Sequence, residues 1–140
     1  MDRAGVVEPA ASGFGIRKVL RRSYEDTLAR VAEALQSEWF GVLTEIDIRE
    51  TLKKKLGVEF RRYKILGACN PPLAHRALEA ELEVGLMLPC NVIVYDAGEG
   101  QTVVCAVDPL QTVAARGTPA LAEVAAAVRE KLQKALDRLT

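Results

Sequence analysis

The sequence predicts an α+β fold in which an antiparallel sheet of about five strands carries long first and last helices on one face. Three features point that way. Short segments of apolar and polar alternation recur along the chain; they are joined by short helices or a glycine-rich turn; and helical periodicity runs long only near the two ends. The 140 residues fit one α+β domain, 13–140, preceded by a flexible segment, 1–12.

Residues 14–22, FGIRKVLRR, alternate well enough for a half-buried strand, and SYED follows as a capping box headed by Ser23. Leu28, Val31, Leu35 and Trp39 then recur at helical spacing down to Gly41. FGVLTEI reads as a second strand with Phe40, Val42 and Ile46 on one face. Asp47 caps a short helix whose stripe is Ile48, Leu52 and Leu56, and Gly57 stands where a terminating glycine belongs. A third strand runs from Tyr63 to Cys69. Asn70, a favoured N-cap, and Pro71, in a first turn that needs no N–H, open the next helix. VGLMLPCNVIVY suits a buried strand with an edge or bulge at Pro89, and DAGEGQ turns it into TVVCAVD as a hairpin. Asp108-Pro109 starts a helix ending near Gly117. Thr118-Pro119 starts the last one, with Leu121, Val124, Val128, Leu132, Leu136 and Leu139 on one stripe. If the sheet face away from the helices is apolar, dimerisation is the commonest way to cover it.

Apolar residues make up 49% and charged residues 27%, with 19 basic and 19 acidic side chains, so no global field drives the chain toward nucleic acid or anionic lipid. No secretory pattern opens the sequence and no run of eighteen apolar residues could span a membrane, so a cytoplasmic location is expected. Cys69, Cys90 and Cys105 are an odd, widely spaced set, suited to reduced thiols.

One histidine, His75, rules out a multi-histidine metal cluster or a two-histidine relay within the chain. Its helical phase puts it at the rim of the buried face next to Glu79, a position usual for a solvated residue. Cys69 ends a strand at the start of a helix, where the positive dipole end favours a thiolate; the alternative is that it is simply core. Cys90 is in phase with Leu86, Leu88, Val92 and Val94 as a core thiol, while Asn91 faces the other way with Ile93 and Tyr95. Cys105 falls in phase with Val103 and Val107 and is expected in the core. ACNP and PCNV each set cysteine before asparagine near a proline, and neighbouring strands would bring the two thiols together. No C-x-x-C pair, P-loop or dinucleotide fingerprint is present, and a soft-metal site of Cys69, Cys90 and His75 has no spacing motif behind it. Residues 17–64 hold twelve Lys/Arg against eight Asp/Glu, a modest excess, and aromatics for base stacking are scarce at 5%.

The segment from Phe40 to Tyr95, with FG at Phe14 and AVDP at Ala106 to Pro109, resembles the family catalogued as domain of unknown function 302. ILGACNP followed by LPCNV carries the resemblance. It implies a TATA-binding-protein-like α+β sheet, a dimer, and cytoplasmic proteins of bacteria and archaea, with no agreed activity; kinship of fold does not transfer DNA binding. The matching positions are Gly67, Cys69, Asn70 and Pro71, then Pro89, Cys90 and Asn91. The chain departs in Trp39, where glycine is more usual, in Cys105, and in its alanine-rich last helix.

The expected function is therefore a homodimeric protein that binds a small ligand or protein partner without established catalysis, its site near Cys69–Asn70 and Cys90–Asn91. Thiol chemistry at Cys69 and Cys90, as sulfur transfer, redox sensing or soft-metal handling, is the alternative. Nucleic-acid binding by the basic segment 17–64 is a third. The sequence does not identify a cofactor or a metal.

Overall fold

The computed structural model describes residues 6–7, 13–112 and 117–140. The expected α+β architecture is present. Five strands, β2 (Gly15–Leu20), β3 (Gly41–Asp47), β4 (Tyr63–Cys69), β5 (Cys90–Gly98) and β6 (Gln101–Val107), are joined by a two-residue strand β1 (Val6–Val7). The sheet is antiparallel throughout in the order β1-β2-β6-β5-β4-β3. Val6–Val7 falls inside the segment expected to be flexible; the rest of 1–12 lies outside the described residues.

Helix α1 (Tyr24–Ser37) begins as its sequence dictates, the Ser23 hydroxyl accepting from the Asp26 N–H, and carries the chain from β2 across the sheet to β3 at the opposite edge. It ends through Trp39, whose φ of 68° is left-handed, a conformation suited to glycine. Helix α2 (Ile48–Leu56) joins β3 to β4, α3 (Pro71–Ala80) leads from β4 toward β5, and α4 (Pro119–Asp137) closes the chain. One face of the sheet meets α1, α3 and α4 over a core that includes Leu20, Val31, Leu35, Leu66, Val92, Val94, Val104, Leu132 and Leu136. The Lys18 ammonium, on the same face, donates to the Leu136 carbonyl at 2.9 Å, and the Arg22 guanidinium donates to the Thr140 carbonyl.

Three expectations are corrected. The apolar run before Pro89 is not strand: Leu82–Met87 forms a 3₁₀ segment, with Leu82 and Leu86 exposed, and β5 starts only at Cys90. Pro89, after a cis Leu88–Pro89 bond, has no N–H for the ladder. The helix expected from Asp108 is instead a turn over 109–112, closed by hydrogen bonds from Gln111 to Asp108 and from Thr112 to Pro109; residues 113–116 lie outside the described residues. Phe40 is buried, but Val42 and Ile46 are exposed, because β3 is an edge strand and a bulge between Val42 and Thr44 breaks its phase.

The second face of the sheet carries Tyr63, Ile65, Ile93, Tyr95, Val103 and Cys105. Most of these are half-buried, Val103 is buried, and Tyr63 and Tyr95 stack at 5.4 Å. Cys105 is thus on the face away from the helices, not in the core where its phase with Val103 and Val107 suggested. Apolar residues occupy both faces of β6, so alternation alone does not say which face the helices cover.

Gly15 leaves no room for a side chain beside β6, since a Cβ there would lie 2.0 Å from the Ala106 carbonyl oxygen. Gly15→Ala is expected to lower stability by about 1–3 kcal/mol in urea denaturation, whereas Gly41→Ala, with nothing within 4 Å of the new methyl, is expected to stay within about 0.5 kcal/mol of wild type.

Candidate functional site

The β4–β5 register sets Ala68 opposite Cys90 and Gly67 opposite Asn91, so the two cysteine-asparagine turns lie side by side at one end of the sheet. Between this end and helices α3 and α4 is a cavity of about 270 Å³. Its floor is Ala68, Cys69 and Cys90; Leu73, Ala74, Ala77 and Leu78 of α3 form one wall, Val124 and Val128 of α4 another, and Phe40, Leu43, Leu88, Pro89 and Pro109 the rest. Alanines at 74 and 77, where larger residues would fill the helix–helix contact, leave the space open. Asn70 is the one polar side chain in the lining besides the two thiols, and no charged residue contributes.

Asn70 is buried and committed to structure. Its Oδ1 accepts from the Leu73 N–H at 3.4 Å, capping α3, and its Nδ2 donates to the Glu38 carbonyl at 3.2 Å, fastening α3 to the end of α1. Glu38 in turn receives the Arg138 guanidinium at 3.1 Å, so α1, α3 and the end of α4 share one polar joint beside the cavity.

Cys69 is half-buried and Cys90 buried, and no disulfide joins them. Burial, with Cys69 nearby as the smaller cause, pushes the Cys90 thiol up to about 11, so at neutral pH it stays protonated and inert as a nucleophile. The other candidates are elsewhere. Asn91 is exposed on the opposite side of the strand from Cys90, as its phase predicted. His75 points to solvent, its Nε2 3.7 Å from the Glu79 carboxylate, and takes no part in the cavity wall. The structure therefore brings Cys69, Asn70 and Cys90 together and leaves His75 and Asn91 outside. Among the described residues no three His, Cys, Asp or Glu side chains gather as a metal set.

Sequence reasoning missed the cavity walls. The stripe of α3 was visible, but its pairing with Val124 and Val128 of α4 is a contact between residues some fifty positions apart that no local pattern encodes; the small side chains at 74 and 77 were the available signal. A second, more open groove of about 370 Å³ on the far face runs past Phe60, Arg61, Tyr63, Tyr95 and Cys105, with Arg61 set over the Tyr95 ring at 5.9 Å. Of the twelve basic residues of 17–64, Arg22 and Arg30 pair with Asp26, Lys53 with Glu59, Lys54 with Glu50, Arg62 with Glu25 and Lys64 with Glu45.

The family model described as Domain of unknown function DUF302 matches residues 16–139. A crystal structure of an uncharacterized conserved protein DUF302 from Bacillus stearothermophilus is similar at 35% identity and a TM-score of 0.83, covering 92% of this chain and all of that one. No curated protein matches.

The raised Cys90 thiol has a definite sign. Its neutral form is favoured in the folded state, so the stability it contributes is full below pH 9.0 and disappears as pH rises toward about 11. With iodoacetamide at pH 8, Cys90 in the folded protein is expected to alkylate roughly a hundredfold more slowly than in urea, as read by peptide mass spectrometry.

Proposed function

The chain belongs to the DUF302 family, a domain of unknown function, and on that footing we propose that it is a binding protein for a small apolar molecule held between α3, α4 and the joined ends of β4 and β5. The observation that carries this is the cavity itself, a space of about 270 Å³ with apolar walls and no charged residue. Its volume sits just under the ~300 Å³ at which ligand pockets usually begin, which suits a compact molecule and not a nucleotide cofactor. Transferring such a molecule from water gains roughly 25 cal/mol per Å² of apolar surface buried, while any ionised group on it would be left unpaired by these walls.

Binding is better supported than catalysis, because the lining offers no carboxylate, imidazole or amine for proton transfer. Cys90 is a poor nucleophile in this setting, where burial keeps it protonated. The two thiols serve instead as small, polarisable parts of an apolar floor. Among the described residues no helix is long and apolar enough to cross a membrane. Self-pairing of the chain belongs to the same proposal: with no net charge there is no long-range repulsion between copies, and large apolar side chains remain exposed.

The test is titration with 1-aminoanthracene, a compact uncharged fluorescent probe, followed by calorimetry at several temperatures. Wild-type protein is expected to bind one probe with a negative heat-capacity change, and Ala74→Trp, which fills the cavity from a half-buried position, is expected to weaken binding at least tenfold without loss of helix. Failure of the wild type to bind, or equal binding by the folded variant, overturns the proposal.

A further inference from the structure

We propose that the groove on the sheet face away from the helices binds a compact aromatic anion, such as an aryl carboxylate, with Tyr63 and Tyr95 against its rings and Arg61 on its charge. The site lies across the sheet from the apolar cavity and does not depend on what that cavity holds.

Strand register makes the groove one continuous surface. Arg17 of β2, Cys105 of β6 and Ile93 of β5 are successive cross-strand partners, and Val103 of β6, Tyr95 of β5 and Tyr63 of β4 form the next row on the same face. Phe14, ahead of β2, and Phe60 and Arg61, ahead of β4, complete the lining of a space of about 370 Å³. That volume falls within the ~300–1,000 Å³ usual for small-molecule sites. Two strand steps, roughly 10 Å, separate the backbone at Arg17 from that at Ile93, a width suited to one or two fused rings.

The lining is aromatic and cationic together. Four of the chain's seven aromatic residues gather here, Phe14, Phe60, Tyr63 and Tyr95. Tyr63 and Tyr95 stack 5.4 Å apart with their planes within 7° of parallel, and Phe60 leans on Tyr63 at 6.3 Å. Such a cluster accepts a further ring by offset or edge contact. A sheet face without helices needs apolar cover in any case, so the rings alone would not name a guest. The cations do.

Arg17 and Arg61 both line the groove, and among the described residues no carboxylate does. Arg61 is held in place without being neutralised. Its Nη1 donates to the Asp96 carbonyl at 3.1 Å, its guanidinium stands 5.9 Å from the centre of the Tyr95 ring, and no acidic side chain among the described residues pairs with it. The Asp96 carboxylate turns instead to the adjacent Arg62 at 3.7 Å, which also meets Glu25. Of two neighbouring arginines, one is thus engaged in the fold and the other keeps N–H donors for an incoming oxyanion, in the forked geometry that suits a carboxylate. Burial raises the Tyr63 phenol above its ordinary value, with Tyr95 and Cys105 as smaller causes, so it is neutral and able to donate at neutral pH.

Calorimetric titration with 2-naphthoate tests the site, with its fully saturated counterpart, decahydro-2-naphthoate, as a ligand of equal charge and no aromatic ring. Wild type is expected to bind one naphthoate, at least threefold more tightly than the saturated acid, with an affinity that falls as salt is raised. Arg61→Gln is expected to weaken naphthoate at least tenfold. Because Arg61 is exposed, that variant is expected to melt within about 3 °C of wild type, which separates loss of contact from loss of fold. Ala74→Trp, which fills the apolar cavity on the other face, is expected to bind naphthoate as wild type does. No binding by wild type, equal binding of the saturated acid, or undiminished binding by Arg61→Gln overturns the proposal. Binding lost in Ala74→Trp and kept in Arg61→Gln overturns it as well, because the anion then occupies the cavity and not the groove.

Discussion

The buried amide of Asn70 is the joint on which the site depends. A single side chain caps α3 and ties that cap to the carbonyl of Glu38 at the end of α1, while Glu38 holds Arg138 beyond the end of α4. Three helices are therefore fixed relative to one another at the strand end where β4 delivers its cysteine. A buried amide left with one partner missing costs about 1–3 kcal/mol, so the arrangement tolerates little sliding. With the helices held there, small residues on α3 leave a gap that neither neighbour can close.

That gap sets the chemistry of its own floor. A thiol becomes reactive where positive charge or water stabilises the thiolate, and Cys90 has neither. Its burial favours the protonated sulfur, and the nearby second sulfur adds to the effect instead of opposing it. The same apolar lining that keeps Cys90 protonated matches the uncharged guest proposed above, and it bears on Cys90, the second thiol of the reactive reading, not on Cys69, its nucleophile.

Much of the fold was legible in the sequence because period-two alternation and capping are local. The limits of β4, the caps at Ser23, Asp47, Asn70 and Thr118, and the opposite facing of Cys90 and Asn91 all follow from residues within a few positions of one another. The 3₁₀ segment before Pro89 was not legible, since LEVGLM has the apolar content of a strand and only the missing proline N–H decides the register. Cys105 shows the other limit. Its phase was correct, but both faces of β6 are apolar, and the choice between them is made by where α1 and α4 come to rest. Of the site, the adjacency of the two cysteine-asparagine turns could be guessed from their likeness and the solvent position of His75 from its helical phase, whereas the cavity depends on helix pairing across a long stretch of chain.

The order of the strands also bears on how the chain reaches this shape. β2 and β3 are consecutive in sequence yet stand four strands apart, with α1 as the bridge, and the main partner of β2 is β6, more than eighty residues later. During synthesis at a ribosome, β2, with only the two-residue β1 beside it, and the apolar side of α1 must wait for β6 until most of the polypeptide has emerged. Such long-range closure slows folding and prolongs the time in which a nascent chain exposes sticky segments, because the β2 side of the sheet has no full-length neighbour before β6 arrives.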